Sequence, residues 1–105
     1  MNEKAGDIAR SLAEVDRLIH EPARLMIMTI LSAVESADFI YLQRETGLSK
    51  GNLSSHLSRL EEANYVKIEK TYRGKIPLTL CSLTTSGQLA FQNYREKIMR
   101  FMENV

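Results

Sequence analysis

The stretch from Gly47 to Pro77, GLSKGNLSSHLSRLEEANYVKIEKTYRGKIP, decides how this chain folds. Gly47 supplies the left-handed backbone of a tight interhelical turn, and Ser49 is placed to cap the helix that starts beyond it. From there to about Ala63 the leucines Leu53, Leu57 and Leu60 fall in one narrow arc of a helical wheel. Gly51, Ser55, Ser58 and Glu62 lie opposite them, flanked by Asn52, Ser54 and Arg59. Asn64 suits a left-handed terminator. Val66 and Ile68 then alternate with Lys67 and Glu69 as in a half-buried strand. Tyr72 to Pro77 turns the chain, and Leu78 to Leu83 returns as a second strand. A short helix from about Ile40 to Thr46 precedes the turn, so the order of parts is helix, turn, helix, hairpin.

The third helix is unusual in what it leaves outside. An exposed helical face normally carries long Lys and Glu side chains, which favour helix and stay solvated, whereas this one carries small hydroxyls and a glycine. Gly51 in a first turn costs roughly 1 kcal/mol relative to alanine. Close approach to another surface offsets that cost, and a DNA duplex is the surface expected. Serine hydroxyls and N-terminal amides bond phosphate or base edges at short range, Asn52 and Arg59 have the paired groups that read adenine or guanine, and Lys50 neutralises a phosphate. At the hairpin tip Arg73, Gly74 and Lys75, with Lys70 nearby, suit a loop that lies along the backbone or enters the adjacent minor groove. The DNA-binding set is therefore Ser49, Lys50, Gly51, Asn52, Ser54, Ser55, Ser58, Arg59, Lys70, Arg73, Gly74 and Lys75. The competing reading is that the serine-rich face packs on another protein and the charged turn is merely solvated.

Working outward, Ile8, Leu12, Val15 and Ile19 make an apolar stripe that predicts a helix from Asp7 to about Ile19. His20-Glu21-Pro22 interrupts it. Pro22 suits the first position of a second helix that runs to about Val34 and is apolar on nearly all sides, as a central core helix is. Met26 and Met28 in it fit core filling better than a ligand pocket. Ala37 to Phe39 reads as a short strand or extended turn. Thr84 or Thr85 caps a last helix, on which Phe91, Tyr94, Ile98, Phe101 and Val105 recur at spacings of three and four, broadened by Leu89 and Met102. A domain this small has little core to cover two such stripes. Ile8, Leu12, Val15, Ile19, Phe91, Tyr94, Ile98, Phe101 and Val105 are therefore expected to pair two chains. A symmetric dimer sets its two DNA helices about 34 Å apart on a near-palindromic site. Otherwise both stripes fold onto the domain's own core.

The 105 residues, 44% hydrophobic and 26% charged, fit one globular domain with one modest core. The net charge of +1 is unevenly spread: Lys50, Arg59, Lys67, Lys70, Arg73 and Lys75 stand against Glu61, Glu62 and Glu69 between residues 48 and 77, and the rest of the chain is mildly acidic. That favours one oriented docking face over diffuse attraction. A cytoplasmic protein is expected, since no long apolar run occurs and the N-terminus mixes acids with bases. Cys81, the only cysteine, reads as a small buried hydrophobe rather than a redox thiol. Two histidines and one cysteine, distant in sequence, form no metal constellation; no cofactor is expected. No phosphate loop is visible and neither histidine sits beside a nucleophile, so catalysis is not expected. His56, on the flank of the leucine arc, is assigned a packing or supporting role.

Over nearly its whole length the chain resembles the small winged helix-turn-helix transcription regulators of the MarR and ArsR type. The resemblance is carried by IHEPARLMIMTIL (Ile19 to Leu31), GLSKGNLSSHLSRLEEANYV (Gly47 to Val66), KTYRGKIP (Lys70 to Pro77) and LTTSG (Leu83 to Gly87). It implies a mainly α fold with a small β-hairpin, an α+β winged helix with N- and C-terminal dimerisation helices. The parts are an N-terminal helix (1–20), the winged-helix core (21–83) and a C-terminal dimerisation helix (84–105). It also implies a homodimeric regulator of operator DNA, by default a repressor, with Ser49 to Arg59 as recognition helix and Arg73 to Lys75 as wing tip. Asn64 replaces a usual glycine, and Gln88 stands where arginine is common. The clustered metal ligands of metal-sensing ArsR proteins are absent. Many MarR-type proteins hold a small ligand between dimer helices and DNA-binding lobes; an effector of this kind would be unidentified here. The same fold also serves as a protein-protein interaction module without DNA binding.

Overall fold

The computed structural model describes residues 3–105. Five helices surround a small antiparallel sheet: α1 (Glu3–Ser11), α2 (Pro22–Ser32), β1 (Ala37–Asp38), α3 (Phe39–Thr46), α4 (Lys50–Glu62), β2 (Val66–Arg73), β3 (Ile76–Leu83) and α5 (Thr85–Asn104). The sheet order is β1-β3-β2, with Ala37 opposite Cys81 and Val66 opposite Leu83. This is the expected winged-helix architecture.

The local signals act where the sequence placed them. Gly47 ends α3 with φ 72°, the Ser49 hydroxyl accepts from the Asn52 amide, Asn64 takes φ 62°, and the Thr84 hydroxyl accepts from the Gly87 amide. The hairpin is tighter than expected. Tyr72 pairs with Pro77 and Arg73 with Ile76, leaving a two-residue loop, Gly74-Lys75, in which only Gly74 has positive φ (63°). Glycine at the first loop position is the type II′ arrangement, whose twist matches that of the strands.

The first helix is where the sequence expectation fails. The helix predicted to reach Ile19 stops at Ser11, passes through a short 3-10 turn (Leu12–Glu14) and opens at Val15. Beyond this opening the Asp16 carboxylate accepts from the amides of Leu18 and Ile19, a local turn that competes with helix in the remainder of the predicted segment. Its other oxygen accepts from the Tyr65 hydroxyl at 2.5 Å, tying this turn to the start of β2 and pushing the phenol up to about 12. α2 likewise ends at Ser32 rather than Val34.

One core holds these parts together. Ile19, Ile27, Met28, Leu31, Leu42, Leu53, Leu60 and Cys81 are sealed within it, with Val15, Phe91 and Tyr94 closing the α5 side. Four residues assigned to a dimer interface, Val15, Ile19, Phe91 and Tyr94, thus lie in the protomer's own core. Phe91 and Tyr94 keep their place on a helical stripe, Val15 and Ile19 lie beyond the end of α1, and all four are buried within the same chain. Met28 fills the core while Met26 is exposed. Beyond this core α1 packs against the C-terminal part of α5, and the molecule is elongated, 64 × 26 × 21 Å.

A buried charge joins α2 to α4. Arg24 is only 8% exposed; its Nε donates to the Leu18 carbonyl and its Nη1 lies 3.4 Å from Glu21 Oε2 and 3.1 Å from His56 Nδ1. A neutral imidazole accepts there from Arg24. A protonated one turns its Nδ1–H toward Glu21 Oε2, 3.5 Å away, so His56 keeps a partner in either state. Glu21 also caps α2, accepting from the amides of Ala23 and Arg24. Burial pushes its carboxyl up, but those amides and the neighbouring His56 and Arg24 outweigh burial and hold it below its ordinary value.

A close approach fixes where α5 begins. A Cβ built on Gly87 would stand 2.0 Å from the Tyr65 carbonyl oxygen, and that carbonyl also accepts from the Thr84 amide at 3.0 Å. The LTTSG motif is therefore a seat for the helix start on the strand start.

Two stability predictions follow from these contacts. Gly87→Ala must separate α5 from β2 or break the Thr84 bond, and denaturant unfolding should show a loss of about 2–4 kcal/mol. Glu21→Gln keeps an oxygen for the cap but removes the anion beside Arg24, costing about 1–2 kcal/mol at neutral pH. Because the folded carboxyl titrates below its ordinary value of 4.5, the native protein's advantage is complete above that value. It fades as pH falls through the folded one, where the two unfolding curves should converge.

Candidate nucleic-acid interface

Burial of Leu53, Leu57 and Leu60 fixes the rotation of α4 about its axis, and the opposite face is open. Every residue of the expected DNA-binding set is exposed: Ser49, Lys50, Gly51, Asn52, Ser54, Ser55, Ser58 and Arg59 along α4, and Lys70, Arg73, Gly74 and Lys75 on the hairpin. Nothing lies within 4 Å of a Cβ built on Gly51, so the glycine relieves no crowding inside the protomer. Its helix cost is left without an internal reason.

The open face is divided by position on the wheel. Gly51, Ser55 and Glu62 run along its crest. On one side Lys50, Ser54 and Ser58 border a groove of about 800 Å³ whose far wall is Lys70, Pro77 and Thr79 of the hairpin. Asp38, Ile40 and Gln43 close its end. Asn52 and Arg59 lie on the other side of the crest, the side on which His56 reaches down to Arg24. The structure thus brings Lys50, Ser54, Ser58 and Lys70 onto one groove, sets Asn52 and Arg59 apart from it, and carries Arg73, Gly74 and Lys75 beyond it at the tip. Among the described residues Lys50, Arg59, Lys70, Arg73 and Lys75 form no ion pair, while Lys67 is held by Glu69. Five cations on α4 and the hairpin are therefore without an ion pair among the described residues.

Sequence reasoning missed the support behind this face. Arg24 was counted within an apolar helix, and Glu21 was seen only as part of a break. The one signal was an arginine in an otherwise hydrophobic run following a glutamate at the helix-capping position. Cys81 is fully buried behind the groove, its thiol pushed up to about 11 by burial and by Glu61 and Asp38. Reaction needs the thiolate, so at neutral pH this residue acts as packing. No group of three or more His, Cys, Asp or Glu side chains able to hold a metal occurs among the described residues, and no described helix is long and apolar enough to cross a membrane.

Known proteins resemble this chain in sequence and in fold. An uncharacterised protein of Methanocaldococcus jannaschii is 31% identical over 90 residues, covering 85% of this chain and 97% of its own. The solved structure of a transcriptional regulator homologue from Pyrococcus horikoshii OT3 superposes with a TM-score of 0.80 at 25% identity, over 97% of this chain and 96% of that one. Diamide-treated YodB from Bacillus subtilis shares the fold alone, with a TM-score of 0.67 at 20% identity over 76% and 78% of the two chains. Residues 23–102 match the sequence family described as winged helix DNA-binding domain, which spans the core from α2 to the last turn of α5. The chain belongs to the winged helix DNA-binding domain family.

Proposed function

We propose that this protein is a cytoplasmic, homodimeric repressor that binds a near-palindromic operator, with α4 in the major groove and the β2–β3 hairpin on the flanking duplex. The observation that carries the proposal is the bare glycine-and-serine face of α4 standing beside a groove with lysines on both walls. In this docking Asn52 and Arg59 read base edges. Ser49, Ser54, Ser55, Ser58, Lys50 and Lys70 hold the phosphates on either side of the groove, and Gly51 lets the helix backbone approach. Repression fits a chain with little surface left over for recruiting polymerase. No residue is assigned to an effector.

The dimer is supported by surface the protomer does not hide. Its radius of gyration is 16.2 Å, against about 13 Å for a compact domain of this length. Its accessible area is 7284 Å², about 1,300 Å² above that of a typical monomer of its mass. Apolar surface remains along the two terminal helices: Leu89, Met99 and Met102 on α5 and Val105 just past it are exposed, and Ile8 on α1, Leu12 in the turn after it, and Ile98 and Phe101 on α5 are half-buried. A second copy packed on these residues would cover both helices.

Selection of bound fragments from random genomic DNA should return near-palindromes, and sedimentation should give twice the 12.0 kDa chain mass. Arg59→Ala should cost about 1–3 kcal/mol on a selected site and relax preference at one position. Lys50→Ala should weaken all sequences alike and lower the salt slope by about one. Both variants should sediment as the native protein does. Binding indifferent to salt and to both substitutions would leave a protein partner as the better reading.

A further inference from the structure

The hairpin tip carries two large apolar side chains where a solvated turn needs none: Tyr72 is 70% exposed and Ile76 63%. The register decides where they point. Directly paired residues share a face and neighbours along a strand alternate. Ile76 therefore lies beside Arg73 on one face of the tip, and Tyr72 beside Pro77 on the other. Single exposed apolar side chains are ordinary on a protein surface. Here they cluster at the end of a hairpin closed by the shortest usual loop, flanked by the exposed cations Arg73 and Lys75. A narrow, cationic end with an apolar side chain set beside an arginine is complementary to one surface of a duplex. Phosphate rims attract the cations, and a base step can receive the hydrocarbon.

Resting on the DNA-binding reading above, with the tip in the minor groove that the sequence already suggests for it, we propose that Ile76 is a wedge. Arg73 and Lys75 hold it between the phosphate rims, and Ile76 presses on a base step and kinks the duplex at each flank of the operator. Tyr72, backed by Pro77, lies along the sugar edge. Minor-groove proteins commonly insert Ile, Leu, Phe, Met or Pro in this way, and the bend brings more duplex onto the protein. The wedge also gives the protein a sequence preference without a hydrogen bond to any base. Pyrimidine–purine steps such as TA open easily, whereas A-tracts are stiff. The flank is then read through its deformability.

The test uses the full chain and one selected operator, made with either a TA step or an A-tract at the flanks. Bending is read by energy transfer between dyes on the duplex ends, and affinity by anisotropy. The native protein should bend the TA duplex and bind it about tenfold more tightly than the A-tract duplex. Ile76→Ser should leave the fold intact, since the side chain is exposed. It should still bind both duplexes, but with the bend and the tenfold preference lost; Ile76→Leu should retain both. A serine variant that bends and discriminates like the native protein would overturn the wedge, as would equal losses for serine and leucine. Failure of the underlying reading is separate, because then the native protein selects no operator at all.

Discussion

Three leucines on α4 govern the rest of the molecule. Leu53, Leu57 and Leu60 are completely or almost completely buried, and each such burial contributes roughly 1.5–3 kcal/mol. Rotating α4 by even a quarter turn would expose them and carry Ser54, or on the other side Asn52 and Arg59, toward the core in their place. The polar face is thus held outward by apolar burial on the opposite side. Arg24 adds a directional constraint to this non-directional one. A guanidinium buried between the Leu18 carbonyl, Glu21 and His56 ties the middle of α4 to the start of α2, and a buried charge deprived of its partners is costly enough to resist sliding.

The second constraint lies at the other end of the hairpin. Asn64 turns the chain out of α4 with left-handed geometry, the Thr84 hydroxyl donates to the Asn64 carbonyl, and Gly87 lets α5 start against the Tyr65 carbonyl. These contacts join the end of α4, the base of the hairpin and the origin of α5 within a few residues. The direction in which α5 leaves the core, and hence the position of any second copy seated on its outer half, is set close to where the DNA-facing helix ends. In the proposed dimer this joint would couple the spacing of the two α4 helices to the geometry of one protomer.

Much of this was legible in the sequence because the deciding residues act locally. Gly47, Ser49, Asn64 and Thr84 each satisfy a backbone requirement that depends only on near neighbours, and each does so in the structure. The exposed face of α4 could be read because the leucine arc is unambiguous. What failed depended on partners distant in sequence. The stripe Ile8, Leu12, Val15, Ile19 has helical spacing, but the helix ends at Ser11, and Asp16 binds its own turn and Tyr65 across the fold instead of continuing it. A periodic stripe shows that a face is buried and is silent about what buries it, so Val15, Ile19, Phe91 and Tyr94 were assigned to a second chain when their own core receives them. Arg24 was missed for the same reason, its partners being a backbone carbonyl and a histidine on another helix.

The size of the candidate interface limits how much α4 alone can read. Asn52 and Arg59 are about two turns apart, roughly 10 Å along the axis, which spans about three base pairs of duplex at 3.4 Å each. Between them the helix presents Gly51, Ser54, Ser55 and Ser58, short groups that permit close approach and discriminate weakly among bases. A three-base-pair half-site recurs by chance throughout a genome, so in the proposed docking one protomer would not suffice to locate an operator. Two remedies are open to so small a fold. A second copy doubles the site and fixes its spacing, and the unhidden surface of α1 and α5 is where a copy would attach. The hairpin, standing across the groove from α4, extends the footprint over a flank that the helix cannot reach. On the proposed reading, small side chains on the helix would shift the burden of specificity to symmetry and to the shape of the flanking duplex.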